Sequence, residues 1–301
     1  MKLEIARSLG QPGVVDIINY QTHPQRDYQA LHLTHGRGAH VVVENVGPTT
    51  IAQSLRSLAR RGTVSQVGFL GGFNVDHFLD TIGPSLAKSA VIRCVLEALN
   101  SLHEGGYVHA DVKPDNVFVN YIDRGAENDV RFSEVQLGDL GGTCHVDSKW
   151  AKSGTPLGAP MWRSPEMIME TPWGTPTDIW SFGTMLISLI YGGDFNLFDP
   201  TTVPYGHEEY SLEVLKQQFR YFGPWPGKYE EVASPETVHA IMWIMQEIPK
   251  SETTPFSMIT EKEVCKKDRE FIMGIMKMDW RDRPTPKDLL GHKWFNEDCE
   301  E

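Results

Sequence analysis

The sequence predicts a mainly α-helical domain over residues 84–301, preceded by a partial α/β half-domain over residues 1–83. Short β-branched runs alternate with helical spacing before Pro84, and longer apolar helical stretches follow it. Acidic and basic residues nearly balance before Pro84, so the net charge of −12 comes from the remainder of the chain. These differences in pattern and charge predict a domain boundary near Pro84.

The composition is that of a folded protein with a sizeable core, because 40% of the residues are hydrophobic and 23% are charged. The acidic excess, without basic clusters, argues against binding to nucleic acid or to an anionic membrane. The longest apolar stretch, residues 185–191, is much shorter than the roughly 20 residues that cross a bilayer and is typical of a buried core helix. We therefore expect neither a nucleic-acid nor a membrane partner.

The cysteines show neither metal-ligand spacing nor a disulfide framework. They are scattered, without any C-x-x-C pair, at positions 94, 144, 265 and 299. Glu4 and Arg7 interrupt the apolar residues that follow Lys2, so the sequence has no secretory apolar region there. This pattern is typical of a reducing compartment, and we expect a cytoplasmic or nuclear protein.

In the N-terminal half-domain, strand-like and helix-like segments alternate. Three segments have the β-branched composition of strands: residues 14–18, 41–43 and 64–69. Apolar residues at helical spacing lie between the last two, namely Ile51, Leu55, Leu58 and Ala59. Gly62 then stands at a position where glycine often ends a helix. Such alternation predicts parallel βαβ units.

The helical domain begins with a predicted helix over residues 85–104. Its apolar face recurs every three or four residues at Val91, Val95, Leu99 and Leu102. Two glycines, 105 and 106, end the pattern. The polar stretch 108–116 therefore lies between a helix and the short apolar run 117–119, where a rigid scaffold can present functional side chains.

Residues 108–116, Val-His-Ala-Asp-Val-Lys-Pro-Asp-Asn, carry an acid, a lysine and an amide at fixed offsets. Phosphoryl transfer needs a carboxylate to orient the attacking hydroxyl, a cation near the moving phosphoryl group and a ligand for Mg²⁺. Four further motifs follow: Gly-Asp-Leu-Gly at 138–141, Trp-Arg-Ser-Pro-Glu at 162–166, Asp-Ile-Trp-Ser-Phe-Gly at 178–183 and Arg-Asp-Arg-Pro-Thr at 281–285.

In order and spacing, these five motifs resemble the catalytic loop, metal-binding triplet, end of the activation segment, central helix and late arginine of a protein kinase. The resemblance covers residues 84–298 and implies the C-terminal lobe alone. Lys113 resembles the serine/threonine type, because tyrosine kinases usually carry alanine there. The implied reaction is transfer of the γ-phosphoryl group of ATP to a protein hydroxyl with Mg²⁺. The implied partner is a protein substrate or a docking protein.

The resemblance assigns roles to single residues. Asp111 would orient the substrate hydroxyl and accept its proton, and Lys113 would neutralise charge on the phosphoryl group of bound ATP. Asn116 and Asp139 would bind Mg²⁺ and through it the ATP phosphates, because a carbonyl oxygen and a carboxylate suit this hard cation.

Other motif residues would hold the site together. His109 and Leu140 are expected to pack in an internal stack beneath the site, so that His109 is structural rather than basic or metal-bound. Glu166 and Arg283 would form a buried ion pair that anchors the activation segment. Asp178 would hydrogen-bond the backbone of the catalytic loop.

Departures from the kinase pattern favour a weak enzyme or a pseudokinase that acts as an interaction module. Ala110 replaces the arginine that pairs with a phosphorylated activation loop, and Ala159 falls where a threonine bridges the catalytic aspartate and lysine. Upstream there is no G-x-G-x-x-G and no V-A-I-K-like strand to supply the lysine that holds the ATP phosphates. We expect a truncated or chimeric chain that binds ATP weakly.

Residues 1–83 resemble the cofactor domain of zinc-type medium-chain alcohol dehydrogenases. Short ordered matches carry this resemblance, at residues 3–10, 17–20, 36–38, 42–44 and 62–68. They imply a truncated Rossmann-like segment in which glycines 68, 71 and 72 are structural. The glycine-rich phosphate turn of that fold is absent from the sequence, and His40 stands where the family usually has aspartate. An NAD(P)-dependent oxidoreductase is therefore the least favoured interpretation.

Overall fold

The computed structural model describes residues 16, 18, 22–44, 50–66, 84–122, 131–192 and 195–295. The chain forms two units, one of residues 1–87 and 118–135, the other of residues 88–117 and 136–301. The first elements in chain order are α1 (Arg26–Leu33), β1 (Ala39–Glu44), α2 (Ile51–Arg56), β2 (Leu58–Gln66), α3 (Pro84–Glu104), β3 (Tyr107–Val108), β4 (Val117–Ile122) and β5 (Arg131–Leu137). They are followed by β6 (Cys144–His145), α4 (Lys149–Ser153), α5 (Pro165–Ile168), α6 (Pro176–Tyr191), α7 (Tyr210–Phe222), α8 (Pro235–Glu247), α9 (Lys266–Ile275) and α10 (Pro286–Leu290).

The smaller unit contains a βαβ arrangement. β1 and β2 pair in parallel, and α2 lies in the connection between them. Val42 is opposite Val64 and Val43 is opposite Ser65, with a register shift between Ala39 and Val41. The strand at 41–43 and its parallel pairing are as predicted. The second predicted strand, 64–69, begins earlier than expected, at Leu58, and residues 67–69 lie outside the described residues. The wider Rossmann-like half-domain stays a prediction, because the segment 14–18 lies largely outside the described residues and glycines 68, 71 and 72 lie wholly outside them.

The helix predicted from Ile51, Leu55, Leu58 and Ala59 is shorter than its apolar spacing indicates. α2 ends at Arg56, and Leu58, Ala59 and Gly62 belong to β2. The prediction that Gly62 ends this helix is therefore wrong. Leu58 is opposite Ala39 and pairing with β1 resumes at Thr63, so this segment belongs to the strand and does not continue the helix.

A buried acidic side chain connects α1 with α2. Asp27 is 3% exposed and accepts a hydrogen bond from Arg56 Nε at 2.6 Å. That hydrogen bond outweighs the effect of burial and lowers the pKa of Asp27. Arg26 Nε donates to Gln53 Oε1 at 3.1 Å beside it. Polar contacts thus fix the two short helices against each other.

In the larger unit, α3 and α6 form much of the core. Val95 and Leu99 of α3 are fully buried, and the helix ends at the predicted glycines, where Gly106 has φ 75°. Residues 177–188 of α6 are buried, as predicted for a core helix. Within the part of the chain that the structure describes, no helix is long and apolar enough to cross a bilayer. Both helices end beside the polar loops of the unit.

The predicted ion pair between Glu166 and Arg283 is present and buried. Arg283 Nη1 and Nη2 donate to Glu166 Oε1 and Oε2 at 2.6 and 2.7 Å, and both side chains are at most 1% exposed. Arg283 also donates to the carbonyl oxygens of Lys277 and Pro176. Its guanidinium carbon lies 5.1 Å from the ring centroid of Trp180. One arginine therefore connects α5, the start of α6 and the segment between α9 and α10.

We expect Arg283→Met to lower the free energy of unfolding by about 3–5 kcal/mol, because it leaves the Glu166 carboxylate buried without its partner. Urea unfolding followed by circular dichroism measures this loss. The control is Lys152→Met, which removes an ion pair with Asp147 whose side chains are 64% and 68% exposed. That change should cost less than about 1 kcal/mol. Similar losses in both variants would contradict the prediction.

Candidate active site

The backbone of the loop between β3 and β4 is held by one buried carboxylate, that of Asp178 in α6. The backbone N–H groups of His109 and Ala110 donate to Asp178 Oδ2 and Oδ1, both at 2.8 Å. His103 Nε2 lies 2.9 Å from the same Oδ2. The predicted role of Asp178 is thus confirmed. Ala110 has φ 66°, a left-handed conformation that costs an L-residue roughly 1–2 kcal/mol, and these hydrogen bonds stabilise it.

Asp111 follows directly, and both of its carboxylate oxygens accept hydrogen bonds. Lys113 Nζ and Asn116 Nδ2 donate to Oδ2 at 2.7 and 3.0 Å. The backbone N–H of Ala159 donates to Oδ1 at 3.1 Å. Asn116 Nδ2 also donates to the backbone carbonyl of Asp111 at 2.7 Å. The loop therefore brings together three of the four predicted site residues around one carboxylate.

These contacts decide the charge of Asp111. Burial works to raise its pKa, but the hydrogen bond and charge of Lys113, with the donors of Ala159 and Asn116, hold the pKa below its ordinary value. The carboxylate is therefore ionised at neutral pH and acts as a hydrogen-bond acceptor. Its contribution to stability is complete above the ordinary pKa and is lost only as the pH falls through the lowered value.

Asn116 lies directly before β4, and Asp139 follows shortly after the end of β5. The N–H of Gly138 donates to the backbone carbonyl of Asn116 at 2.8 Å, which sets Asp139 beside this ladder. Asp139 is exposed, with φ 56°, just before the 3₁₀ turn at residues 140–142. Both hydrogen bonds of the buried Asn116 amide come from its nitrogen, so its oxygen is the atom left to meet a cation. An amide oxygen and an exposed carboxylate fit a hard ion such as Mg²⁺.

Of the two residues expected in an internal stack, only His109 is buried. His109 is 0% exposed, and its Nε2 lies 3.0 Å from the carbonyl oxygen of Gly138. Its structural role is therefore confirmed. Leu140 is 55% exposed, so the prediction that it packs beneath the site is wrong. The left-handed Asp139 turns the chain at this point, and Leu140 begins a 3₁₀ turn at the surface.

The segment before α5 reaches back to Asp111. Arg163 Nε donates to the carbonyl oxygen of Leu157 at 2.9 Å, and Nη2 donates to that of Gly158 at 2.7 Å. Gln218 Nε2 of α7 donates to the backbone carbonyl of Arg163 at 2.8 Å. Gly158 has φ 68°. These contacts fix the backbone on which Ala159 presents its N–H.

An apolar cluster surrounds Ala110, which is 6% exposed. The cluster joins residues of the loop, of β6, of α4 and of the segment around α5: Val108, Ala110, Cys144, Ala151, Met167 and Trp173, with Val146 and Leu157 packed against them. The contact between the catalytic-type loop and the residues 144–173 is therefore made here by apolar groups.

Sequence reasoning missed three residues that shape the site. His103 continues the buried face of α3 four residues after Leu99, and this spacing was a usable signal. Arg163 belongs to the Trp-Arg-Ser-Pro-Glu motif at 162–166. Its contacts are with backbone carbonyl oxygens, which leave no pattern in the sequence. Gly158 is recognisable only from its backbone conformation.

A comparison with family models matches residues 74–295 to the protein kinase domain. The chain belongs to the protein kinase family. Curated kinases similar to it include serine/threonine-protein kinase dst1 of Dictyostelium discoideum, 26% identical over 230 residues, and serine/threonine-protein kinase shk1/pak1 of Schizosaccharomyces pombe, 33% identical over 104 residues. These matches cover 75% and 35% of this kinase chain, but only 24% and 14% of the two relatives.

A solved structure gives the same fold. The yeast RNA Pol II CTD kinase CTDK-1 complex matches with a TM-score of 0.53 and 18% identity, over 73% of this chain and 66% of that chain. At this identity the likeness establishes the fold alone. The prediction of a kinase-like, mostly helical architecture is therefore confirmed.

A second family model, described as zinc-binding dehydrogenase, matches residues 1–93 of this kinase chain. The match bears out the resemblance stated for residues 1–83 and overlaps the kinase match at residues 74–93. It leaves the Rossmann-like fold of this segment as a prediction.

We expect Asp178→Ala to release the loop that carries Asp111. Two buried N–H groups lose their acceptor, which should cost about 2–6 kcal/mol in the free energy of unfolding. Amide hydrogen exchange at His109 and Ala110 should accelerate by more than the global loss of stability explains. The control is Asp199→Ala, which removes an exposed acceptor of Tyr210 Oη at 2.9 Å and should cost about 1 kcal/mol. Unchanged exchange at both amides would contradict the prediction.

Proposed function

We propose that this chain carries the active-site lobe of an ATP-dependent serine/threonine protein kinase. The observation that supports this most strongly is the arrangement at Asp111. Its ionised carboxylate accepts hydrogen bonds from Lys113 and Asn116, on the loop whose motif resembles the catalytic loop of protein kinases. The C-lobe would comprise residues 84–301, and residues 1–83 would be a truncated Rossmann-like segment. The substrate would be a hydroxyl-bearing side chain of another protein.

In the proposed reaction, Asp111 holds the substrate hydroxyl and accepts its proton. The hydroxyl oxygen bonds to the γ-phosphorus as the bond from that phosphorus to the bridging oxygen of ADP breaks, so the products are ADP and a phosphoester. Lys113, 2.7 Å from Asp111 Oδ2, would lie beside the transferred group and offset its negative charge. Asp111 is ionised at neutral pH, because its pKa lies below the ordinary value of a carboxyl, so the form that can accept a proton is the one present.

Mg²⁺ would be held by Asn116 and Asp139, whose oxygens suit it. Bound there with the ATP phosphates, the metal would neutralise their charge. Lys113, Asn116 and Asp139 are thus the proposed contacts with the nucleotide. Asp139 is exposed, so its carboxylate is free of a protein environment that would prevent coordination.

We expect the transfer by this chain to be weak. Residues 3–87 contain no lysine and the chain contains no G-x-G-x-x-G, so the groups that hold and cover the ATP phosphates in this family are absent from the sequence. Positioning and exclusion of water contribute much of the rate in phosphoryl transfer. Loss of these groups should lower both ATP affinity and turnover.

A second candidate is a pseudokinase whose lobe serves as a protein-interaction module. The missing phosphate-holding lysine and the alanines at 110 and 159 favour it. The retained Asp111, Lys113, Asn116 and Asp139 favour the enzyme. Binding of ATP with Mg²⁺ distinguishes the enzyme from the pseudokinase, because an interaction module does not need to bind the nucleotide.

We expect slow Mg²⁺-dependent transfer from radiolabelled ATP to dephosphorylated casein, a generic hydroxyl-bearing acceptor. Asp111→Asn should abolish it, because the amide cannot accept the proton, with a loss of about 100-fold or more. The matched control is Asp115→Asn, an exposed aspartate of the same loop, which should retain activity. Equal activity in the parent and in Asp111→Asn, or no ATP·Mg²⁺ binding by calorimetry, would favour the pseudokinase.

Any activity should be independent of phosphorylation between residues 143 and 155. A phosphate on Thr143, Ser153 or Thr155 has no arginine at position 110 to pair with, because this position is alanine. The side chain of Ala110 lies in an apolar cluster instead. Phosphatase treatment should therefore change the rate by less than twofold, with heat-inactivated phosphatase as the control. A severalfold fall in the transfer rate with active phosphatase, but not with heat-inactivated phosphatase, would contradict this prediction.

A further inference from the structure

The carboxylate of Asp111 receives its donors from two separate parts of the chain. Lys113 and Asn116 bond to Oδ2 from the same loop. The donor on Oδ1 comes from Ala159, 48 residues further along the chain. Rotation about the Cβ–Cγ bond moves both oxygens, so each of these donors restrains the plane of the carboxylate. The contact from Ala159 is the restraint on Oδ1, and it comes from outside the loop.

We propose that the main-chain N–H of Ala159 is a positioning group for Asp111, and that Gly158 is the residue that allows it to reach the carboxylate. This inference rests on the proposed function for the role of Asp111, and on the hydrogen-bond geometry for the contact itself. The side chain of Ala159 has no hydrogen-bonding atom, so the donor is the backbone.

Gly158 lies against the loop too closely for any other residue. A Cβ at position 158 would lie 2.4 Å from the carbonyl oxygen of Ala110 and 2.8 Å from Asp111 Oδ1. The first of these atoms is backbone and cannot swing away. The φ of 68° is also one that residues with a Cβ adopt at a cost. Both the space and the conformation therefore require glycine, and both serve the approach of residue 159.

The donor is aimed by a segment that is itself fixed. Arg163 clamps the carbonyl oxygens of Leu157 and Gly158, and Gln218 of α7 holds the carbonyl of Arg163. The N–H of Ala159 is thus tied through Arg163 to α7. A shift of the segment 157–163 would take the donor away from Oδ1. The orientation of the proton acceptor is in this way coupled to the arrangement of the segment that precedes α5.

The test uses two changes that remove or displace this donor in the full chain. Ala159→Pro deletes the N–H, and the φ of −79° at this position is compatible with proline. Gly158→Ala pushes the segment away from Asp111. Ala159→Gly keeps the N–H, adds no further donor and is the control for the first change. Gly206→Ala is the control for the second, because Gly206 has φ 89° but no heavy atom within 4 Å of an added Cβ.

The first measurement does not depend on catalysis. The pKa of Asp111 is followed by NMR of ¹³C-carboxyl-labelled aspartate, with Asp111→Asn to assign the signal. Ala159→Pro and Gly158→Ala should raise this pKa relative to their controls, because a donor to the charged form is lost. If Ala159→Pro does not fold, replacement of Ala159 by lactic acid, which exchanges the N–H for an ester oxygen, makes the same test. An unchanged pKa would overturn the proposal, whether or not the parent transfers phosphoryl groups.

The second measurement separates positioning from binding. Where the parent transfers phosphoryl groups, Ala159→Pro should lower kcat about 10-fold, with a KM for ATP within twofold of that of Ala159→Gly. A kcat equal to that of Ala159→Gly would overturn the proposal. A parent without transfer, combined with a raised pKa of Asp111 in the variants, would support the positioning contact while removing the proposed function.

Discussion

The site depends on the buried carboxylate of Asp178. It accepts the backbone N–H groups of His109 and Ala110, and it does so with Ala110 in a left-handed conformation. Without these acceptors, two amides would be buried unpaired and the strained backbone would relax. The position of Asp111, one residue later, follows from this arrangement. A central core helix thereby determines where a partly buried carboxylate points.

The sequence predicted those parts of the fold in which local and long-range preferences agree. α3 ends at its two glycines, α6 is buried, and Glu166 pairs with Arg283, because apolar spacing, turn residues and opposite charges all point to one arrangement. Prediction failed where they conflict. Leu58 and Ala59 continue a helical spacing, yet they belong to β2, because Leu58 pairs with Ala39 and the strand that follows pairs with β1 again from Thr63. The prediction that Leu140 is buried is wrong for a related reason, since the backbone conformation of Asp139 decides which way Leu140 faces.

The candidate site was predictable to the extent that side chains define it. Asp111, Lys113 and Asn116 are so close in the sequence that they lie on one loop, and the structure brings their side chains together. The third donor to Asp111, the N–H of Ala159, could not be predicted from the sequence, because every residue except proline carries that group. Its presence depends on Gly158, which the sequence does not distinguish from an ordinary turn glycine.

The apolar cluster around Ala110 has a consequence for the conditions under which the loop and the segment 144–173 stay together. An ion pair at this place would weaken as salt screens it, whereas contacts among Val108, Met167 and Trp173 carry no charge for salt to screen. Apolar association instead weakens on cooling, because its driving force near room temperature is entropic. The apolar contacts at this junction are therefore insensitive to charge screening by salt, and they weaken in the cold.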